Sequence, residues 1–245
     1  VSLAPGFFWL DDQIAIDLPG ARALFTTRRG GVSEGPYAAL NLGTTTAAAD
    51  GDDPDRVVAN RAVVLDAAKR AVAIGRQVHG TAVSLVGGAR EGYLNSGDDA
   101  DGQATARDDV AVAVHVADCL PIALAADGAV AMLHGGWRGL AGGVGALRDL
   151  GAEGPIEAAI GPGVGGCCYE VGDEVRAAFA GHGPDVVDGR RLDLKRVARH
   201  ALIAAGATGV ADVGLCTICG DATLFFSHRR DHGLTGRQAG VVWRS

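Results

Sequence analysis

The chain has 245 residues, enough for one large domain or two small ones with a hydrophobic core that closes without disulfides. Apolar residues make up 48% and charged residues 21%, and no apolar run is long enough to cross a bilayer, which excludes a disordered chain and a helical membrane protein. The net charge is −7 and the basic residues are scattered rather than gathered in a stripe, so a small-molecule partner is expected, with no nucleic acid and no membrane.

The first residues, Val1 to Gly6, lack the basic and apolar segments of a secretory signal, so a cytoplasmic location is expected. No repeat, long linker or shift in composition divides the chain, and 1–245 reads as a single domain in which strands and helices alternate. Residues from about Pro54 to Ala73 carry a helical signature, with Asp53 as N-cap, Pro54 at the first position and an apolar stripe through Val57, Val58, Val64, Leu65 and Ala68. Val110 to Val116 and Ala129 to Leu133 are strand-like. Gly139 to Leu150, Asp173 to Ala180 and Leu192 to Ala205 are helical, and Gln238 to Trp243 forms a last strand.

The most informative segment runs from Ala117 to Gly139. Asp127-Gly128 lies between two apolar runs, the pattern of a tight hairpin. A two-residue turn there pairs Ala126 with Ala129 and, counting outward, Pro121 with His134. Cys119 then becomes the diagonal neighbour of His134 on one sheet face, with Cβ atoms roughly 7–8 Å apart or less, close enough for thiolate and imidazole to share one ion. His79, which ends an apolar run and precedes Gly80, is the best third ligand. One Cys and two His leave a fourth position open for water or substrate. A metal in a chain of this size is expected to serve function rather than folding.

The other cysteines read as reduced thiols. Adjacent Cys167 and Cys168 form only strained disulfides with each other, and Cys216-Thr217-Ile218-Cys219 reads as buried thiols in a strand. His115, His182 and His200 are taken as structural, and His228 and His232 as rim residues at most. Gly135-Gly136-Trp137-Arg138-Gly139 passes from strand to helix and offers either an anion site or a packing turn. Gly30-Gly31 and the glycines from Gly161 to Gly166 are further turns able to bring backbone amides to a ligand. No P-loop or dinucleotide fingerprint is present.

Several motifs follow one another over nearly the whole chain: Thr26-Thr27-Arg28-Arg29-Gly30-Gly31-Val32-Ser33, Asn41-Leu42-Gly43, Gln77-Val78-His79-Gly80, Ala100-Asp101-Gly102, Ala117-Asp118-Cys119-Leu120-Pro121 and His134-Gly135-Gly136-Trp137-Arg138-Gly139. Ile160-Gly161-Pro162, Cys168-Tyr169-Glu170-Val171-Gly172 and Ser227-His228-Arg229-Arg230-Asp231 complete the series. Together they resemble the YfiH-like, laccase-domain proteins. The resemblance implies a four-layer α/β/β/α fold and a zinc held by His79, Cys119 and His134. It implies phosphorolysis of adenosine, inosine and methylthioadenosine, with adenosine deamination as a side activity. An older claim of copper-dependent polyphenol oxidation and an editing role in cell-wall precursor synthesis also attach to the family. Arg28, Asn41, Gln77, Arg138 and Arg229 are the expected substrate-binding residues. The chain departs from the common pattern at Gly135, Gly166 and His228, where Ala, Pro and Tyr are usual.

Two other readings of the same residues remain. Two His and one Cys also suit copper, with Met132 on the His134 face, although seven scattered histidines are few for a multicopper enzyme. Alternatively Cys119 is the nucleophile of a metal-free hydrolase with His134 as base. The His-x-Glu and Pro-Cys-x-x-Cys signature of zinc deaminases is absent, so any deamination uses other machinery.

Overall fold

In a computed structural model of the chain, the described residues are 1–44, 51–88, 91–135, 147–179 and 185–245. The strands are β1 (Phe7–Leu10), β2 (Gln13–Leu18), β3 (Ala21–Phe25), β4 (Ala71–Arg76), β5 (Val83–Leu85), β6 (Tyr93–Asp99), β7 (Gly102–Thr105) and β8 (Val110–Val116). They continue with β9 (Leu120–Asp127), β10 (Ala129–Gly135), β11 (Glu153–Ile160), β12 (Val187–Asp188), β13 (Arg191–Leu192), β14 (Ala207–Asp212) and β15 (Gln238–Arg244). The helices are α1 (Pro54–Ala68), α2 (Asp173–Phe179) and α3 (Leu194–Ala204).

Two mixed sheets face each other, ordered β1-β2-β3-β15-β8-β4-β6 and β14-β11-β9-β10-β7-β5. The alternation of side chains along each strand decides what packs where. On β10, Val130 and Met132 point between the sheets and join Phe25, Val112, Val114, Ala123, Ala125 and Val242. Ala129, Ala131 and Leu133 point the other way, into an outer core with Leu120, Ile122 and Leu124 under Val197, Ala198 and Leu202 of α3. A third core lies on the outer face of the other sheet, where Val64 and Ala68 of α1 cover Val72, Ala111, Ala113 and Val241. This is the mixed α/β class expected from the sequence.

Helix α1 starts as predicted: Asp53 accepts from the Asp55 N–H and Pro54 occupies the first turn. It ends at Ala68, five residues early, because Lys69 adopts a left-handed φ of 55° and its N–H closes on the Leu65 carbonyl. The apolar run from Ala71 becomes β4, which gains ladder partners in β8 and β6. Val58 stands exposed, off the packed stripe. Leu192 belongs to β13, paired with Val187, and Asp193 caps α3 by accepting from the Arg196 N–H, so this helix starts at Leu194. Cys216 to Cys219 form a turn rather than a strand; Cys219 is exposed and Cys216 half-buried, while Thr217 between them is buried. Their turn pairs through Cys216 with Gly163. Most of the expected helix from Gly139 to Leu150 lies outside the described residues, as does His182.

Glycine is demanded by close approach at Gly161, where a Cβ would lie 2.2 Å from the Phe25 ring. In the Gly161-Pro162-Gly163 turn the Gly161 and Gly163 N–H groups donate to the Pro121 and Leu215 carbonyls.

Candidate metal centre

The hairpin register is the one the turn requires. Ala129 pairs with Ala126, His134 with Pro121 and Gly135 with Leu120, while Gly128 takes the left-handed φ of 89° that the turn needs. Cys119 lies just before β9 and packs on the inter-sheet side, the same face as His134. His79 arrives from the opposite sheet, three residues beyond the end of β4. One ligand atom from each of His79, Cys119 and His134 lies within 4.8 Å of the others, and Cys119 Sγ is 3.9 Å from His79 Nε2. The two imidazoles meet edge to face with centroids 4.8 Å apart.

Strained backbone lies at one of these residues and beside another. His79 has φ 57°, and Asp118, immediately before Cys119, has φ 94°. Conformations of this kind cost on the order of 1–3 kcal/mol each and persist only when neighbours hold them. Asp101 holds the first. It sits where the chain passes from β6 in one sheet to β7 in the other, and its carboxylate accepts from the backbone N–H groups of Val78 (3.0 Å), His79 (3.0 Å) and Gly80 (2.7 Å). The same carboxylate accepts from His134 Nδ1 at 2.7 Å, which turns His134 Nε2 toward Cys119. Asp118 is held by Thr217 Oγ1 (2.7 Å) and the Arg229 N–H (2.7 Å). Asp101 and Asp118, which brace the three donors, were not among the expected site residues. Their signal was present in the motifs Ala100-Asp101-Gly102 and Ala117-Asp118-Cys119.

The charges follow from this geometry. Burial opposes ionisation of the Cys119 thiol, but hydrogen bonds to His134 and His79 outweigh it and bring the pKa down to about 6. Burial likewise disfavours the His134 cation, yet Asp101 and then Cys119 raise its pKa to about 9. Asp101 is partly desolvated, and the hydrogen bonds from His134, Gly80 and Val78 still hold it down at about 2. A thiolate, an imidazole and a carboxylate-braced imidazolium result, converging at the floor of a cleft of about 640 Å³; a cation bound here would take the place of the His134 Nε2 proton. That set suits a borderline-soft cation such as zinc and leaves a fourth position toward the cleft.

Among the described residues the cleft is lined by Arg61, Arg76, Arg229 and Arg237 and by one carboxylate, Asp118; Arg76 is paired with Asp99 at 2.5 Å, and the other three arginines give the pocket of this chain of net charge −7 a positive lining. Arg229 reaches the wall as expected; its guanidinium lies 5.4 Å from the Tyr169 ring centroid and donates to the Glu170 carbonyl. Gln77 also lines the cleft, but its amide is spent on the His115 backbone, donating to the carbonyl and accepting from the N–H at 2.7 Å each. Arg28 and Asn41 do not line it. Arg28 donates to the Ala38 carbonyl and stacks 4.5 Å from the Phe226 ring, while buried Asn41 joins Gly43, Asp52 and Arg237. Both brace the fold where they stand. Arg138 lies outside the described residues.

His228 is at the rim, as expected. His115 lines the wall with Nε2 2.7 Å from the Tyr93 hydroxyl, and burial pushes its pKa down to about 3. Met132 is fully buried between the sheets, with its sulfur against Gly240 of β15. No helix among the described residues is long and apolar enough to cross a membrane.

The same fold occurs in solved structures. YfiH from Bacillus licheniformis matches with a TM-score of 0.86 at 29% identity, covering 99% of this chain and 100% of that one. YlmD from Geobacillus stearothermophilus matches with a TM-score of 0.80 at 33% identity and 98% of each chain. Among curated proteins, the purine nucleoside phosphorylase YlmD of Geobacillus stearothermophilus is 37% identical over 92% of this chain and 90% of its own length. The purine nucleoside phosphorylase of Deinococcus radiodurans is 40% identical over 89% of this chain and 87% of its own length. The family model described as multi-copper polyphenol oxidoreductase laccase matches residues 22–245, and the chain belongs to this YfiH-like laccase-domain family.

Proposed function

We propose that the chain is a single catalytic domain, a zinc-dependent purine nucleoside phosphorylase acting on adenosine, inosine and methylthioadenosine, with adenosine deamination as a secondary reaction. The observation that carries the reading is the convergence of His79, Cys119 and His134 at the floor of an arginine-lined cleft. The names of the relatives from Geobacillus and Deinococcus support the substrate class.

Zinc held by His79 Nε2, Cys119 Sγ and His134 Nε2 would supply a Lewis acid for a substrate oxygen. The protein's own groups do the rest. Arg229, with Arg61, Arg76 and Arg237 around it, draws phosphate into the cleft and opposes its charge. Tyr169, packed on the Arg229 guanidinium, offers an aromatic wall to the purine. Asp101 holds the His134 proton on Nδ1 and so would leave Nε2 as the nitrogen given to the ion. A phosphate oxygen then forms a bond to ribose C1′ as the C1′–N9 bond breaks and its electron pair passes to the purine, which takes up the proton that hydrogen phosphate brought in.

Adenosine and phosphate should therefore yield adenine and ribose 1-phosphate, separated by chromatography, and Cys119→Ala should lose both this turnover and one zinc per chain. Zinc-loaded protein that releases no base, together with an unchanged zinc content in Cys119→Ala, sinks the reading.

One observation favours a second reading. Without a metal, Cys119, His134 and Asp101 already form a thiolate, imidazolium and carboxylate in sequence, the order of a cysteine nucleophile with its base and orienting acid. Activity that survives chelation and is abolished by alkylation of Cys119 selects it. Copper is the remaining occupant. A blue absorption band on copper loading with turnover of phenols would mark it, but buried Met132, with its sulfur against β15, gives that set little support as an axial ligand.

A further inference from the structure

The other cysteines form a second donor set. Cys167, Cys168, Cys216 and Cys219 place their four sulfurs within 4.8 Å of one another. The individual separations are 3.2 Å for Cys167 and Cys219, 3.4 Å for Cys168 and Cys216, and 3.7 Å for Cys167 and Cys168. A disulfide needs about 2.05 Å, so no pair is bonded. A tetrahedron of thiolates each about 2.3 Å from one zinc has edges of about 3.8 Å, close to the spacing observed. An iron–sulfur cluster inserts several metal and sulfide atoms between its thiolates and needs a wider cage.

The backbone is shaped around the sulfurs. Gly165 donates its N–H to Cys216 Sγ at 3.3 Å, and the N–H groups of Ile218 and Cys219 address the same sulfur. A Cβ on Gly165 would stand 3.1 Å from Cys167 Sγ, and one on Gly220 would stand 2.2 Å from the Cys216 carbonyl oxygen. The two turns are tied by the Thr217 N–H to the Gly163 carbonyl at 3.1 Å.

We propose that Cys167, Cys168, Cys216 and Cys219 bind a second zinc ion, in a closed, four-sulfur structural site separate from the cleft. Four protein ligands leave no position for substrate, and an all-thiolate set selects a soft or borderline cation. The site lies behind Cys119. Thr217, between Cys216 and Cys219, holds Asp118, and Cys168 precedes Tyr169 of the cleft wall. The ion therefore clamps the 163–169 turn to the 216–220 turn and fixes the loop that presents Cys119. This departs from the expectation that a chain of this length has no structural metal.

The test is zinc per chain, by elemental analysis, in protein purified under reducing conditions in the absence of oxygen. Cys119→Ser should keep one zinc, and adding Cys216→Ser and Cys219→Ser should remove it. Cobalt exchanged into Cys119→Ser should give intense thiolate-to-cobalt charge-transfer absorption together with tetrahedral visible bands. Should the serine variants not fold, titration of folded Cys119→Ser protein with a mercurial should release its zinc in step with modification of these four thiols. Folded Cys119→Ser protein without zinc or the cobalt signature overturns the proposal, as does a mass lower by the thiol hydrogens, which marks disulfides. One zinc retained in Cys119→Ser beside a parent inactive on nucleosides leaves this site standing and removes the phosphorylase reading alone.

Discussion

Replacing Asp101 with Asn changes one oxygen into an amide group and tests the coupling between the two histidines. Oδ1 accepts from His134 Nδ1 and the His79 N–H, and Oδ2 from the Val78 and Gly80 N–H groups. In either orientation of the new amide, two donors meet a donor. Each lost bond to the charged acceptor is worth about 1.5–3 kcal/mol before relaxation. If the amide nitrogen faces His134, the ring can give up its Nδ1 proton and accept there, which leaves its remaining proton on Nε2, the nitrogen that a metal needs. If it faces Gly80, the loop that presents His79 loses its anchor. Removal of a carboxylate behind a ligating histidine typically weakens metal binding about 10–100-fold, or about 1.4–2.8 kcal/mol. In zinc-buffered assays of adenine release, the free zinc giving half-maximal rate should rise by that factor, while circular dichroism shows an intact fold. A half-activation point within about twofold of the parent would refute the role given to Asp101.

Three further outcomes are expected. His115 is held neutral in the folded chain with a pKa of about 3, whereas unfolding restores the ordinary value near 6.5; between these values only the unfolded chain binds the proton, so stability falls as pH drops. Urea unfolding should show His115→Asn free of that slope, up to about 1.4 kcal/mol per pH unit, and identical slopes in parent and variant would discount the burial argument. Gly161→Ala forces a methyl into the Phe25 ring and should cost about 1–3 kcal/mol or more in the same assay; a loss below about 0.5 kcal/mol would show that the inter-sheet core yields there. Arg229→Met should raise the KM for phosphate while Arg28→Met lowers Tm and leaves KM unchanged, and the reverse pattern would restore Arg28 to the substrate set.

What the sequence disclosed was local. The Asp127-Gly128 turn carries its own register, so the meeting of Cys119 and His134 follows from counting along two strands. Helix α1 announced its start through Asp53 and Pro54, but Ala71 to Arg76 has no side-chain pattern that separates a buried strand from one more helical turn, and pairing with β6 and β8 decides it. The bond between Asp101 and His134 spans 33 residues and follows from the pairing of β7 with β10, where Gly102 lies opposite Leu133; no periodicity encodes that pairing. The same holds for the four-cysteine group, whose halves come from turns about 50 residues apart in sequence and meet through the pairing of Gly163 with Cys216. Gln77 and Asn41 also take bonds that no sequence pattern announces, because an amide beside a ligand in sequence is equally suited to pairing with backbone groups.

The hairpin also sets a limit on how the gene can vary in length. Between Cys119 and His134, gain or loss of one residue within either strand turns a donor over to the outer face, and two residues move it about 7 Å along the sheet, beyond the reach of a shared ion. The connection between β5 and β6 supplies none of the three donors and lengthens at small entropic cost. Insertions that leave the enzyme working are therefore confined to such connections, and the Cys119 to His134 interval behaves as a fixed frame in which substitution is tolerated but indels are not.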